Sequence, residues 1–159
     1  INKAGDNPMR DIRFLIVHCS DSEWGDVDVI RKWHTEPPRN WSDIGYHLVI
    51  CNSYPTYASY RDSVPLNSLN GLVQQGRPER MIGAHCLGYN ENSVGVCLIG
   101  REHFTPEQFT SLDEICRSYI KRYGIPRENI LGHRETDSGK IQGKNCPNFD
   151  VASLRVKFT

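Results

Sequence analysis

Three residues able to do chemistry lie within residues 132–150, a segment with the sequence GHRETDSGKIQGKNCPNFD. His133 supplies an imidazole, Cys146 a thiol, and Lys144 an ammonium group two positions before that thiol. The segment is rich in Gly, Ser and Asn, which predicts a loop, and loops on a rigid scaffold often carry function. Histidine and cysteine both ligate zinc, so the segment offers two ligands and needs a third from elsewhere in the chain.

His18 is the candidate for that third ligand. It ends the apolar, β-branched run IRFLIVH at residues 12–18, which has the length and composition of a buried strand. Two histidines and one cysteine leave the fourth tetrahedral position of zinc open, as in catalytic sites. The residues alone leave an alternative, in which His18 is a hydrogen-bonded core histidine.

Two further side chains suit acyl-transfer chemistry at such a site. Lys144 can place its ammonium group beside an oxyanion, and Tyr46 can orient water or donate to the same oxygen. Tyr46 and His47 fall in a second predicted strand, residues 45–51. Because neighbouring side chains of a strand point to opposite faces, we expect only one of these two to face the site.

Strands alternate with helices along the chain. A helix is predicted from Asp26 to about Thr35, a second from the capping box at residues 105–108 to Tyr123, and a third after Asp150. Further strands are predicted at residues 71–75, 93–99 and 129–132. We therefore predict an α/β fold, a single domain over residues 1–159 with a central mixed sheet of about five strands flanked by helices.

Residues 54–70 interrupt this pattern with an insertion that is too long for a hairpin turn. It contains Tyr54, Tyr57 and Tyr60. The tyrosines either form a lip over a ligand cleft or pack against one another as a self-contained insertion, and the second interpretation is favoured.

Composition limits the classes of partner. The formal net charge is +0 and the isoelectric point is about 7.1, which argues against a general binder of nucleic acid or anionic membranes. No apolar run is long enough to span a bilayer. The spacing of the six cysteines shows no disulfide framework. If Cys146 binds a metal, five cysteines remain, and because an odd number cannot pair completely, we expect them to be reduced. Residues 1–11 predict a polar leading arm, and the initial Ile1 leads us to expect that a preceding segment was removed.

Six motifs in series resemble the type 2 N-acetylmuramoyl-L-alanine amidases. They are IVHCS at 16–20, WH at 33–34, GYHLVI at 45–50, GAHCLGYNENSVGVCLIG at 83–100, GHRE at 132–135 and KNCPNFD at 144–150. Together they cover nearly the whole chain. This family includes a coliphage zinc amidase, bacterial cell-wall recycling amidases and animal peptidoglycan recognition proteins.

The resemblance implies one Zn²⁺ per chain and hydrolysis of the amide between the lactyl group of N-acetylmuramic acid and L-alanine of the stem peptide. It also assigns roles to seven residues: the zinc ligands His18, His133 and Cys146, the catalytic residues Tyr46 and Lys144, and the substrate-binding residues His85 and Asn90. Many members carry a glutamate where Cys97 stands. We therefore expect the version of the mechanism that uses tyrosine and lysine, with Cys97 as core packing.

The implied protein is a monomeric phage or prophage endolysin with bacterial peptidoglycan as its partner. We expect it to be made in the host cytoplasm and to act on the cell wall, or to be secreted if an export signal was removed. One alternative is a recognition module that binds peptidoglycan without cutting it, although such members generally lack the zinc cysteine. Another is an added regulatory role in binding RNA polymerase, for which the sequence identifies no surface.

Overall fold

The computed structural model describes residues 10–158, so most of the predicted leading arm lies outside the described residues. Five strands form one sheet: β1 (Phe14–Cys19), β2 (Leu48–Ile50), β3 (Val73–Gln75), β4 (Ser93–Leu98) and β5 (Ile130–Gly132). The α-helices of the described residues are α1 (Val27–Thr35), α2 (Tyr57–Arg61), α3 (Pro106–Tyr123), α4 (Asp137–Ile141) and α5 (Val151–Arg155). Short 3-10 turns include Asn90–Asn92 and His133–Glu135.

The sheet has the order β3-β2-β4-β1-β5. Strands β2, β4, β1 and β5 run parallel, and β3 pairs antiparallel with β2 at one edge. In this register His18 lies beside Cys97. The predicted α/β class, with a mixed sheet of five strands, is confirmed.

The helices begin and end where the sequence signals them. The side chain of Asp26 accepts the Val29 N–H at the start of α1. At the start of α3, Thr105 and Gln108 form the predicted capping box, and Gly124 ends the helix with a φ of 65°. These caps satisfy backbone groups that have no partner within the helix.

Two apolar cores cover the two faces of the sheet. On one face, Leu15, Val17 and Val96 belong to a cluster that also contains residues of α3 and α5. On the other face, Val49, Cys97 and Ile99 pack with residues of α1. Because both faces are covered, β4 is buried at every position. Cys97 is fully buried in the second cluster, as expected of a packing residue.

The sequence-based prediction was wrong in two details near the site. Tyr46 and His47 precede β2 rather than lying in it, so strand alternation does not govern where they point. The segment predicted as a loop at 132–150 contains α4, which Thr136 caps by accepting the Gly139 N–H at 3.0 Å. A Cβ at Gly139 would stand 1.9 Å from the His133 carbonyl oxygen. The glycine therefore permits close packing of this helix against the site.

The tyrosines of the insertion pack both on one another and on the rest of the chain. The rings of Tyr54 and Tyr60 meet edge to face at 5.7 Å, and Tyr57 lies 5.9 Å from Trp24. At its base, Gly71 N–H donates to the Cys51 carbonyl at 2.8 Å, so the flanking strands already close as a hairpin. One pair of tyrosines thus packs within the insertion while Tyr57 packs against a residue outside it, so the self-contained interpretation stays a prediction.

Within residues 10–158, no helix has the length and apolar character needed to cross a membrane. All six cysteines are free, and five of them are buried.

Candidate metal centre and active site

The parallel pairing of β1 with β5 brings two of the predicted ligands together. The carboxyl ends of neighbouring parallel strands lie at the same edge of a sheet, where ligands of such sheets commonly bind. His18 is the fifth residue of β1, and His133 follows β5 directly. Their ring centroids are 4.7 Å apart.

Backbone hydrogen bonds place Cys146 against both strand ends. The Cys19 N–H donates to the Cys146 Sγ at 3.1 Å, and the Arg134 N–H donates to the Cys146 carbonyl at 2.8 Å. The Sγ atom lies 3.9 Å from His18 Nδ1. The ligand atoms of His18, His133 and Cys146 all lie within 4.8 Å of one another, so the three predicted ligands are brought together.

The environment of His133 fits a metal ligand. The Thr136 hydroxyl donates to the His133 carbonyl at 2.7 Å and fixes the backbone. The Nε2 atom of the His133 ring is buried and has no hydrogen-bond partner among the described residues. A buried polar atom without a partner is unfavourable, and a metal ion at this position would satisfy it.

Protonation states in the site suit zinc. Burial, with the nearby His85 and His133, holds the pKa of His18 well below its usual value. Burial and the charge of Lys144 lower the pKa of His133. Both shifts favour the neutral imidazole, which is the form that binds a metal. The adjacent Cys19 thiol and burial raise the pKa of the Cys146 thiol, so binding of a metal would release its proton. A set of two neutral imidazoles and one thiolate fits zinc with one position open.

The cluster lies in a cavity of about 890 Å³ that also contains both predicted catalytic residues. The Tyr46 ring lies 5.0 Å from the His18 ring. Burial, together with the thiols of Cys97 and Cys146, raises the pKa of Tyr46 well above its usual value, so it is a neutral hydrogen-bond donor. Lys144 lines the same cavity and is exposed.

The two predicted substrate-binding residues are placed differently. His85 lines the cavity, and its Nδ1 and Nε2 atoms lie 2.9 Å from His18 Nε2 and 3.1 Å from Ser93 Oγ. Asn90 is not among the cavity-lining residues that the structure describes. Its Oδ1 accepts the N–H groups of His85 and Cys86, each at 2.9 Å, and so shapes the loop. Their substrate contacts remain predictions.

Sequence reasoning missed two cationic residues of the cavity, Arg39 and Arg101. Arg39 lies in the irregular segment after α1, 5.7 Å from the Trp41 ring centroid. Arg101 follows β4 and donates to Asp21 at 3.0 Å. Neither position carries a periodic or motif signal, since isolated arginines on loops are common. Trp33, which also lines the cavity, falls within the WH motif.

Comparison with known proteins identifies the family. The sequence model of the family "N-acetylmuramoyl-L-alanine amidase" matches residues 8–149. The endolysin of Enterobacteria phage K11 is 34% identical over 148 residues, covering 86% of this chain and 81% of that protein. The endolysin of Escherichia phage T7 is 32% identical over the same share of each chain.

Among solved structures, the N-acetylmuramoyl-L-alanine amidase LysC from Clostridium intestinale URNW has a similar fold, with a TM-score of 0.72 and 24% identity. The match covers 99% of this chain and 93% of that one. The resemblance inferred from the six motifs is thus confirmed. The chain belongs to the N-acetylmuramoyl-L-alanine amidase family.

Proposed function

We propose that this amidase is a zinc enzyme that cleaves the bond between the lactyl group of N-acetylmuramic acid and L-alanine in peptidoglycan. One ion per chain would be held by His18, His133 and Cys146. The observation that carries the proposal is the convergence of their ligand atoms within 4.8 Å in the cavity. The unpartnered, buried Nε2 of His133 supports the same assignment.

Zinc at this site supplies a Lewis acid that polarises a carbonyl and activates water near neutral pH. Tyr46 and Lys144 act on the charge that develops during hydrolysis. As water adds to the amide carbonyl, negative charge collects on the carbonyl oxygen. The neutral phenol of Tyr46 donates a hydrogen bond to that oxygen, and the ammonium of Lys144 stabilises its charge.

The remaining walls of the cavity suit a muramyl peptide. Three cationic residues, Arg39, Arg101 and Lys144, line the cavity beside the acidic Asp21 and Glu102. Because Arg101 pairs with Asp21, Arg39 and Lys144 are the groups proposed to receive the carboxylates that stem peptides carry. Trp33 offers an apolar surface beside them. His85 also lines the cavity, and Asn90 accepts its backbone N–H; in this proposal both belong to the substrate groove.

In this proposal the chain is one catalytic domain that works as a monomer. The endolysins of phages K11 and T7 are its relatives. We therefore infer a phage or prophage lysis enzyme, made in the host cytoplasm and acting on the wall.

The test uses purified protein, isolated bacterial cell walls and mass analysis of the released fragments. We expect intact stem peptides with a free amino group on L-alanine, and glycan strands that keep their lactyl carboxylate. Chelation with EDTA or phenanthroline should abolish release, and added zinc should restore it. Release of glycan fragments with intact peptide attachments, or activity that persists in the metal-free protein, would contradict the proposal.

A further inference from the structure

We propose that His85 is a positioning residue, which fixes the tautomer and the ring orientation of the zinc ligand His18. The inference rests on the zinc site of the proposed function and assigns His85 a role beyond substrate contact. It is carried by a continuous hydrogen-bonded chain from His18 through His85 to Ser93.

The geometry assigns the two nitrogens of His18 to different tasks. Its Nδ1 lies 3.9 Å from the Cys146 Sγ, on the side of the proposed metal. Its Nε2 lies 2.9 Å from His85 Nδ1, on the other side. A ring nitrogen must be unprotonated to bind a metal, so the single proton of neutral His18 belongs on Nε2. That N–H then donates to His85 Nδ1.

The same reasoning fixes the tautomer of His85. With Nδ1 accepting from His18, the proton of its neutral ring lies on Nε2, which is 3.1 Å from Ser93 Oγ and donates to it. Ser93 is fully buried at the start of β4. Both ring nitrogens of His85 are therefore occupied by protein partners. A group that orients a ligand histidine through its second nitrogen also raises the basicity of that ligand.

The His85 ring is confined as a rigid support must be. A Cβ at Gly95 would stand 2.6 to 2.8 Å from three atoms of the ring, and a Cβ at Gly83 would stand 2.8 Å from its Cδ2. The ring thus occupies a slot that the absence of side chains at these two glycines leaves open. On the backbone side, Asn90 Oδ1 accepts the His85 N–H at 2.9 Å.

Replacing His85 with asparagine or with glutamine distinguishes this positioning role from simple packing. In a His85→Asn variant the amide oxygen stands near the place of Nδ1 and can still accept the His18 N–H. In a His85→Gln variant the amide lies one bond further out, near the place of Nε2, and the acceptor facing His18 is lost. His85→Ala removes both partners.

The measurement is the apparent zinc affinity of each folded variant by competition with a chromogenic chelator, with a melting curve of the metal-free protein alongside. We expect His85→Ala and His85→Gln to lose about 10- to 100-fold in affinity, and His85→Asn to stay close to the parent. The matched control is His47→Ala, which removes a neighbouring buried imidazole 5.8 Å from the His85 ring. It should lower the melting temperature and leave zinc affinity unchanged.

The outcomes separate this inference from the proposed function. If the parent binds no zinc, the proposed function fails and the inference falls with it. If the parent binds zinc and His85→Ala or His85→Gln binds it equally tightly, the positioning role alone is overturned. Equal losses in His85→Asn and His85→Gln would also overturn it, since the acceptor at Nδ1 would then be irrelevant. Should His85→Ala fail to fold, the Asn and Gln pair still decides the question.

Discussion

Replacing Cys146 with serine tests the metal centre most directly. The Sγ atom is one of three ligand atoms within 4.8 Å of one another and also accepts the Cys19 N–H at 3.1 Å. A serine oxygen can accept the same N–H, so the metal-free fold should survive. It does not ionise near neutral pH, whereas a coordinating thiol is deprotonated outright. The site then keeps two good ligands of three.

The size of the loss follows from typical zinc energetics. Four-ligand structural sites bind zinc with about 10–16 kcal/mol, which is roughly 3 kcal/mol per ligand, or on the order of 100-fold in affinity. With zinc at about 100 times the parent's Kd, binding stabilises the parent by about 2.7 kcal/mol. For a chain of this size, that raises the Tm by about 5–11 °C. The same zinc concentration would only match the Kd of Cys146→Ser and raise its Tm by about 1 °C.

The assay is a pair of melting curves for each protein, with and without zinc, beside release of stem peptides from cell walls. Cys146→Ser should show almost no zinc-dependent shift and no hydrolysis, while binding of peptidoglycan fragments persists. An equal zinc-dependent shift in both proteins would refute the ligand assignment. A folded, zinc-free Cys146→Ser protein that still releases stem peptides would refute the metalloenzyme mechanism.

Three further predictions concern catalysis, the insertion and pH. Tyr46→Phe and Lys144→Ala should keep fold and zinc but each lose about 100- to 1000-fold in turnover; wild-type rates for both would show that other groups stabilise the oxyanion. Replacing residues 54–70 by an Asn-Gly turn should leave a folded zinc protein, because the flanking strands already pair. We expect a changed affinity for glycan-linked substrate and an unchanged affinity for a minimal muramyl peptide. Equal losses of affinity for both substrates would mean that the insertion supports the site. Burial lowers the pKa of His47 from 6.5 to about 4. Between these two pH values the unfolded chain therefore binds more protons than the folded one. The stability that buried, neutral His47 contributes is present above pH 6.5 and is lost as the pH falls towards 4. Other buried histidines also have lowered pKa values, so the share of His47 is the difference between two proteins. Urea unfolding of the metal-free parent should show up to about 3 kcal/mol more loss of stability over this pH range than His47→Asn; identical pH profiles for the two proteins would contradict this prediction.

The sequence was sufficient to predict the parts of the site that lie on regular elements. His18 ends an apolar run, and the carboxyl ends of parallel strands meet at one edge, so its proximity to His133 follows from pattern and topology. The position of Cys146 depends on two hydrogen bonds, from the Cys19 N–H to its Sγ and from the Arg134 N–H to its carbonyl. Such bonds leave no periodic pattern in the sequence, because Cys146 and Cys19 are 127 positions apart. Its chemistry made it a candidate ligand, but its position beside His18 was predictable only through the family motif.

The errors have physical causes. Helix α4 was missed because Gly, Ser and Thr dominate its start, and these residues favour turns, whereas tertiary packing of Gly139 against the His133 carbonyl decides the outcome. The link between His85 and His18 joins residues 67 positions apart. Motif reasoning assigned His85 to the substrate groove because it could not reveal which atoms the ring nitrogens contact.

The short length of β5 has a consequence for how the protein opens. This strand has three residues and lies at the edge of the sheet, whereas β1 lies inside it. Edge segments with few backbone bonds are the regions that unfold locally at the lowest free energy. Two proposed ligands follow β5 and the third belongs to β1, so a bound ion would cross-link an edge strand to a strand inside the sheet. Detachment of the edge and loss of the metal would then be one cooperative event, and the ion would set how often residues 130–146 open.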